Sequence, residues 1–239
     1  MVHSYCGSPP DPGALGARFN LDPILIVALL VIAGLHIAAL RRSDMQWRLA
    51  LSGWVIAALA FLSPLCALSV ALFSARVGQH MILTLAAAPL IAAAGPWRMR
   101  AMPAALAFFA ALWFWHMPAP YAATYRSTPI YWTMHLSLFG SAIGLWTALL
   151  HVSRAQSVPA LAAGFATSVH MGLLGAFLTL ATRPMFEPHY FTTTAWNLTP
   201  LQDQQLGGVF MWVPGIFLFL WVALRSAHLG WRKLEGTPA

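Results

Sequence analysis

The placement of the charged residues constrains this chain more than any other feature of its sequence. Seven long stretches of the sequence contain no charged residue, and each has 18 to 28 residues. About 20 apolar residues are enough to cross the hydrocarbon core of a membrane. In that core the backbone must satisfy its own hydrogen bonds, which favours helices. The sequence therefore predicts an all-α integral membrane protein, a bundle of seven transmembrane helices. The stretches free of Asp, Glu, Lys and Arg are 23–40, 49–75, 77–97, 101–125, 127–153, 155–182 and 204–224.

The composition agrees with this class and excludes others. Hydrophobic residues make up 59% of the 239 residues and charged residues only 8%, whereas a soluble domain carries about 25% charged residues. A disordered chain or a soluble coiled coil would need many more charges. No stretch alternates in polarity with a period of two, so a β-barrel is not expected. Because no contiguous basic stripe is present, the net charge of +7 does not predict nucleic-acid binding.

The basic residues between the stretches predict the orientation of the bundle. Cytoplasmic connections of membrane proteins carry an excess of Lys and Arg. The connections on one side of the predicted bundle hold nine of these residues and those on the other side hold four. The side with nine is expected in the cytoplasm, which puts the N-terminus outside and the C-terminus inside. The expected division is a periplasmic tail (1–22), a membrane domain (23–225) and a cytoplasmic tail (226–239). The cytoplasmic group is Arg41, Arg42, Arg48, Arg98, Arg100, Arg154, Arg225, Arg232 and Lys233, and the outer group is Arg18, Arg76, Arg126 and Arg183.

Histidines inside the predicted spans are the main candidates for function, because an ionisable group in a bilayer is expensive and usually functional. Four of the nine histidines have a methionine beside them: His80, His116, His135 and His170. Helix geometry puts the first three near the outer ends of their helices and His170 near the midplane. Asp203 opens the last helix on the same side. We therefore expect residues from five helices to share the outer half of the membrane.

Imidazole and thioether ligands together suit Cu(I), and thioethers favour soft metals. Zinc is less expected because it usually takes Cys, His and carboxylate ligands. Asp203 is expected to offset the charge of the ion or to orient a ligating imidazole. Polar hydrogen bonds between helices remain the alternative role for the histidines, and gap filling for the methionines. His189, in the outer loop, is a further candidate for capturing an ion. The predicted metal-site residues are His80, His116, His135, His170, Asp203, Met81, Met117 and Met134.

The two cysteines leave two possibilities open. Cys6 in the outer tail and Cys66 toward the outer end of the second span can form a disulfide in an oxidising periplasm. Alternatively, Cys66 is a small buried apolar residue, which is the interpretation that we favour from the sequence. Neither a CxxC pair nor a hydrolase, nucleotide-binding or metalloprotease motif is present, so an enzyme is not expected.

Four segments resemble a known family, the multi-span CtaG-type cytochrome c oxidase assembly factors, over about residues 20 to 225. The resemblance implies a bacterial inner-membrane protein that delivers copper to a haem–copper oxidase. It also implies that the functional histidines of the family fall on His80, His116, His135 and His170 and that its acid falls on Asp203. The segments are QHMILTLAAAPLIAAAGP (79–96), WFWHMPAPY (113–121), MHLSLFGSAIGLW (134–146) and TPLQDQQLGGVFMWVPG (199–215).

The first functional hypothesis is thus a non-enzymatic assembly factor. It would receive Cu(I) from a periplasmic donor and pass it within the lipid membrane to an oxidase subunit. A haem-binding electron carrier is the first alternative, because two histidines at matching depth can ligate haem iron. A copper transporter is the second, although the cytoplasmic half offers only His36, His151 and His228 as ligands. A partner protein that binds no metal is the third.

Overall fold

The computed structural model describes residues 4–40, 44–95, 97–152 and 156–234, and within these ranges it is helical, without a β-sheet. Helices α4 and α5 are joined by a π-helical segment, Ile82–Ala87, so that they form one continuous element. Short 3₁₀ turns occur in the N-terminal tail and between α9 and α10. The helices are α1 (Pro23–Ala39), α2 (Asp44–Leu62), α3 (Leu65–Ala71), α4 (Phe73–Met81), α5 (Ala88–Ala94), α6 (Ala101–Trp115), α7 (Pro118–Ala123), α8 (Thr128–Leu150), α9 (Ser157–Leu180) and α10 (Pro200–Leu234).

Each of the seven charge-free stretches contains a helix, but not all of these helices are long enough to count as spans. Four are long and apolar enough to cross a membrane: Phe73–Ala94, Thr128–Leu150, Ser157–Leu180 and Pro200–His228. A fifth candidate is the pair α2 and α3, which bends by 48° at its break. Helices α1 and α6 are apolar but shorter, with 17 and 15 residues. The all-helical class is therefore confirmed, with four or five candidate spans in the described residues.

Proline and extended residues divide two stretches that the sequence analysis treats as single helices. Pro64 follows α2 at the bend, and Leu72 is extended between α3 and α4. Helix α6 ends at Trp115, and α7 begins at Pro118, whose fixed φ suits the first turn of a helix. At the other end of the chain, α10 continues through Leu234, past the expected end of the membrane domain at residue 225.

The element made of α4, the π-helical segment and α5 lies at the centre of the bundle. It contacts α2, α8 and α10, and 67% of its most apolar part is buried, against 39–61% in the other three single-helix candidates. Helix α1 lies at the periphery against α2 and exposes Ile24, Leu30 and Leu35 on its outer surface. The residues that α4 carries inward are therefore shielded on several sides.

Glycines bring α10 close to its neighbours. A Cβ added to Gly207 would lie 2.6 Å from the Phe73 ring of α4, and one on Gly208 would meet the backbone oxygen of Gly175 in α9 at 2.7 Å. Small residues permit such close backbone approach between membrane helices. The sequence GGVF in α10 therefore determines how tightly this helix docks on α4 and α9.

The N-terminal tail is attached to the bundle by a disulfide between Cys6 and Cys66, whose Cα atoms are 5.4 Å apart. The favoured expectation of an unpaired Cys66 is therefore wrong. The two cysteines are 60 residues apart in sequence, and only the folding of the tail over α3 and α8 brings them together. Tyr5, beside Cys6, stacks on Tyr131 with ring centroids 4.9 Å apart and donates a hydrogen bond to Asp22.

One of the basic residues expected in the connections lies inside a helix. Arg76 was counted among the outer connections, but it lies within α4 and is completely buried. Arg98 and Arg100 are exposed, as expected for a connection. Several residues used in the same argument lie outside the described residues or have side chains outside them: Arg41, Arg42, Arg154, Arg232 and Lys233.

Candidate functional site

Three of the four candidate histidines converge in the interior of the bundle. His80 comes from α4, His116 follows the last residue of α6, and His135 lies two turns into α8. The ring centroid of His80 is 5.7 Å from that of His116 and 5.2 Å from that of His135. All three side chains are at most 3% exposed. We call these three residues the histidine cluster, and His80 is its middle member.

The hydrogen bonds of the outer two rings determine which of their nitrogens are free. His116 donates from Nδ1 to the backbone oxygen of Leu112 at 2.7 Å, and His135 donates from Nδ1 to that of Tyr131 at 3.1 Å. A carbonyl oxygen can only accept, so both hydrogens sit on Nδ1 and both Nε2 atoms carry lone pairs. Neither Nε2 atom has a partner among the described residues, and neither nitrogen of His80 has one.

Four imidazole nitrogens are thus buried without partners, and buried polar groups of this kind are rare. A neutral His80 has one N–H and one lone pair, and neither meets a hydrogen-bond partner among the described residues. Neutral imidazole nitrogen is a good ligand for Cu, Zn and Fe ions. The chemistry of these side chains is therefore compatible with an ion shared by His80 and His116 or by His80 and His135, and metal binding stays a prediction.

The cluster is an array around His80 and not a closed cage of three ligands. Within residues 4–40, 44–95, 97–152 and 156–234, no group of three His, Cys, Asp or Glu side chains is close enough to hold a metal ion. Aromatic rings form part of the wall: Phe61 and Tyr131 contact the His135 ring, and Phe73 contacts the His116 ring. The π-helical segment begins two residues after His80, and such segments are frequent at functional sites.

The structure does not bring His170 to this cluster. Its ring lies in α9 against Phe108 and Phe109, with centroids 6.1 and 5.1 Å away. Both of its nitrogens lack a partner among the described residues. The neighbouring hydroxyls of Ser168 and Thr167 do not bond to the ring, and they donate to the backbone oxygens of Ile216 and Ala163.

Asp203 is hydrogen-bonded to the backbone of a neighbouring helix, and its expected role beside a metal ion stays a prediction. Its carboxylate, fully buried in the first turn of α10, accepts hydrogen bonds from the backbone N–H groups of Phe73 and Ser74 and from the Ser74 hydroxyl. The first N–H groups of a helix have no partner within the helix and carry a partial positive charge. Asp203 therefore caps the N-terminus of α4 from a neighbouring helix and makes none of its described hydrogen bonds to a histidine.

The three neighbouring methionines differ in their surroundings. Met81 and Met134 are buried in the main hydrophobic core, whereas Met117 is half exposed at the start of α7. Burial in the core is what gap-filling methionines show. Their role as ligands stays a prediction.

His189 lies in the connection between α9 and α10 and is buried. Nδ1 donates to the backbone oxygen of Ala71, and Nε2 lies 2.7 Å from the Tyr121 hydroxyl and 3.1 Å from that of Tyr125. Because both nitrogens are engaged, the ring has no free nitrogen to offer an incoming ion. Its hydrogen bonds instead attach the connection between α9 and α10 to α3 and α7.

This geometry predicts a pH dependence of stability. Burial, aided by the positive charge of Arg76 and opposed by the hydrogen bond to Ala71, lowers the pKa of His189 from 6.5 to about 3. Below pH 6.5 the unfolded chain takes up a proton that the folded chain does not, so stability falls as the pH falls. Between pH 7 and 5 this residue should lower the free energy of unfolding by about 2 kcal/mol.

The measurement is chemical unfolding of the detergent-solubilised protein at pH 7 and pH 5, beside the variant His189→Gln. The variant should be less stable than the parent at pH 7 and should lose about 2 kcal/mol less on acidification. An identical loss in both proteins would contradict this assignment.

Arg76 is the residue that sequence reasoning missed. Its guanidinium lies over the rings of Tyr125 and Tyr131, with Cζ 4.8 and 5.2 Å from their centroids, and Nε donates to the backbone oxygen of Ser69. Nη1 and Nη2 have no hydrogen-bond partner among the described residues. Arg76 and His80 are four residues apart, which places both on the same face of one helix. This spacing is the feature of the sequence that could have linked Arg76 to the histidines.

An apolar cavity of about 490 Å³ reaches the cluster from the side, between α1, α2 and α8. His135 belongs to its lining, together with aromatic residues such as Trp54, Phe61 and Trp132. Asp22, at the start of α1, lies in the same lining. The cavity therefore leads from one end of α1 to a ring of the histidine cluster.

Comparison with known proteins assigns the chain to a family. The family model described as the cytochrome c oxidase caa3 assembly factor (Caa3_CtaG) matches residues 34–106 and 97–232, which include the whole histidine cluster, Arg76 and Asp203. Searches of curated proteins and of solved structures return no match. The model covers well over half of the sequence, so the chain belongs to the family of cytochrome c oxidase caa3 assembly factors.

Proposed function

We propose that this assembly factor takes up Cu(I) on the outer side of the bacterial inner membrane with His80, His116 and His135 and delivers it to an oxidase subunit. The observation that carries the proposal is the set of four unpartnered imidazole nitrogens in a fully buried cluster. The cytochrome c oxidase itself is the partner that the family implies. A periplasmic copper donor and a non-enzymatic mechanism are parts of the proposal.

The choice of Cu(I) rests on the ligands and on their charge. The cluster offers neutral imidazoles, while the buried acid Asp203 is engaged by the backbone of α4. A zinc site usually has four ligands that include thiolate or carboxylate groups, whereas two imidazoles suffice for a weakly held Cu(I). A site that delivers its ion must also release it, which two shared ligands around His80 permit.

The proposed topology has seven spans, with the N-terminus outside and the C-terminus in the cytoplasm. The Cys6–Cys66 disulfide supports it, because disulfides persist in oxidising compartments such as the periplasm. The tail that carries Cys6 packs against Tyr131, one turn before His135. The connection that carries His189 contacts Tyr121 and Tyr125 close to the same end of the bundle. The histidine cluster then lies toward the outer side.

Lateral delivery is proposed because the apolar cavity meets the cluster at His135. A cavity with such a lining, between membrane helices, suits an apolar partner segment within the bilayer better than a soluble one. The ion would enter at the outer side, rest on the His80 pairs and leave sideways. The methionines Met81, Met117 and Met134 are proposed as auxiliary thioether ligands.

The test is the copper content of a terminal oxidase purified from a bacterial strain that lacks its own factor of this family. Complementation with the parent chain should restore the copper, and a variant with His80, His116 and His135 all changed to Ala should not. His170→Ala is the matched control, because its ring lies apart from the cluster, and it should restore copper fully. Full restoration by the triple variant, at equal membrane levels, would refute the proposal. A Soret band in the purified protein would favour the haem-binding alternative.

A further inference from the structure

The buried charge of Arg76 is the strongest unexplained feature of the molecule. Arg76 precedes His80 by one helical turn, which brings the two side chains onto the same face of α4, about 5–6 Å apart at Cβ. Tyr131, which lies under the guanidinium, also contacts the His135 ring, with centroids 4.3 Å apart. Arg76 therefore borders the histidine cluster on two sides.

No acid forms an ion pair with this guanidinium in the part of the chain that the structure describes. The groups that face the guanidinium are the rings of Tyr125 and Tyr131 and the backbone oxygen of Ser69, none of which carries a full negative charge. The Asp203 carboxylate is engaged by the N-terminus of α4. Glu187 lies at the exposed outer surface, 3.8 Å from Arg126. The cluster is thus a neutral ligand set beside a fixed positive charge that forms no ion pair within the described residues.

We propose that Arg76 sets the charge selectivity of the cluster: it admits a monovalent ion and rejects divalent ions, and it keeps the admitted ion weakly bound. This inference rests on the proposed function, because it specifies the class of ion that the same histidines take. Arg76 touches no ligand atom in this role and acts through its field. The tyrosine rings hold the guanidinium in place by cation–π contact while leaving its charge intact.

Coulomb's law gives the size of the effect. At an effective dielectric constant of about 20 and a separation of roughly 6–8 Å, repulsion by one positive charge weakens binding about 30- to 100-fold for each unit of charge on the ion. A divalent ion experiences this factor twice. Removing the charge of Arg76 should therefore strengthen divalent binding about 30- to 100-fold more than monovalent binding.

The experiment compares metal binding by the parent chain, Arg76→Gln and Arg76→Lys in detergent. Cu(I) affinity is measured by competition with a chelator, and Co(II), a spectroscopically visible divalent probe, by its visible absorption. Arg76→Gln should bind both ions more tightly, and the ratio of its Co(II) affinity to its Cu(I) affinity should rise about 30- to 100-fold. Arg76→Lys should keep the affinity ratio of the parent. Adding His80→Ala to Arg76→Gln should abolish the Co(II) absorption, which locates the ion at the cluster.

Arg126→Gln is the matched control, because it removes a positive charge from the exposed surface. Its ratio of Co(II) to Cu(I) affinity should equal that of the parent. Equal changes for Cu(I) and Co(II), or weaker Cu(I) binding in a folded Arg76→Gln protein, would overturn the role of Arg76 and leave the proposed function standing. Metal binding by none of the proteins would overturn both. If Arg76→Gln does not fold, the ratio is measured in Arg76→Met, where the same shift is expected.

Discussion

Replacing His80 with alanine is expected to weaken Cu(I) binding far more than replacing either of its neighbours. His80 is the middle ring, and both of its nitrogens are free, so it belongs to both candidate pairs. Each of His116→Ala and His135→Ala leaves the other pair in place, so at least one of these two variants should keep half or more of the parent affinity. His80→Ala removes both pairs. Because the loss of an outer-shell partner alone costs about 10- to 100-fold in metal affinity, we expect the loss of this shared ligand to cost about 100-fold or more.

The Cu(I) affinity of each purified single variant, measured by competition with a chelator, checks this order of losses. His170→Ala is the control and should bind like the parent, because its ring contacts Phe108 and Phe109 and not the cluster. Losses of equal size at the three positions would indicate a symmetric three-ligand site in place of two pairs. A normal affinity for His80→Ala would contradict the assignment of the site.

Replacing Asp203 with alanine is expected to destabilise the protein strongly. The change leaves two backbone N–H groups and one hydroxyl of α4 buried without an acceptor. Each unsatisfied buried donor costs about 1–3 kcal/mol, and the favourable interaction of a carboxylate with a helix N-terminus is lost as well. We expect the free energy of unfolding to fall by about 3–5 kcal/mol.

Thermal and denaturant unfolding in detergent measure this loss. Asp203→Asn retains one acceptor oxygen and should lose less than Asp203→Ala. Glu187→Gln, a change at an exposed acid in the connection between α9 and α10, serves as the control and should leave stability within about 0.5 kcal/mol of the parent. If Asp203→Ala were as stable as the parent but lost Cu(I) binding, Asp203 would act as a ligand and not as a helix cap.

The motif DQQLGG of α10 illustrates how a sequence signal can be recognised before its role is known. Its acid and glycines stand out in the sequence, and the pattern predicts that the acid acts beside the metal. In the folded chain Asp203 and Gly207 are one helical turn apart and meet the same place on α4: the acid satisfies the first N–H groups, and the glycine makes room for Phe73. The motif therefore positions α4, and through α4 it positions His80.

The sequence alone determined the helical class and the choice of the candidate histidines. Long stretches without charge can satisfy their backbone groups in lipid only as helices, and this argument needs no knowledge of which helices touch. The same holds for His80, His116 and His135, because their depth follows from the distance to the end of a stretch. These conclusions depend only on local, one-dimensional information.

The tertiary structure decided everything that depends on which helices are neighbours. It joined Cys6 to Cys66 across 60 residues and separated His170 from the other histidines. It also placed the Asp203 carboxylate at the N-terminus of α4. Arg76, which the sequence suggests is a loop residue, is buried between two tyrosines beside the cluster. The physical reason is that apolar helices in lipid have no period or charge pattern that specifies their partners, so pairing rests on close contacts such as that of Gly207 with Phe73.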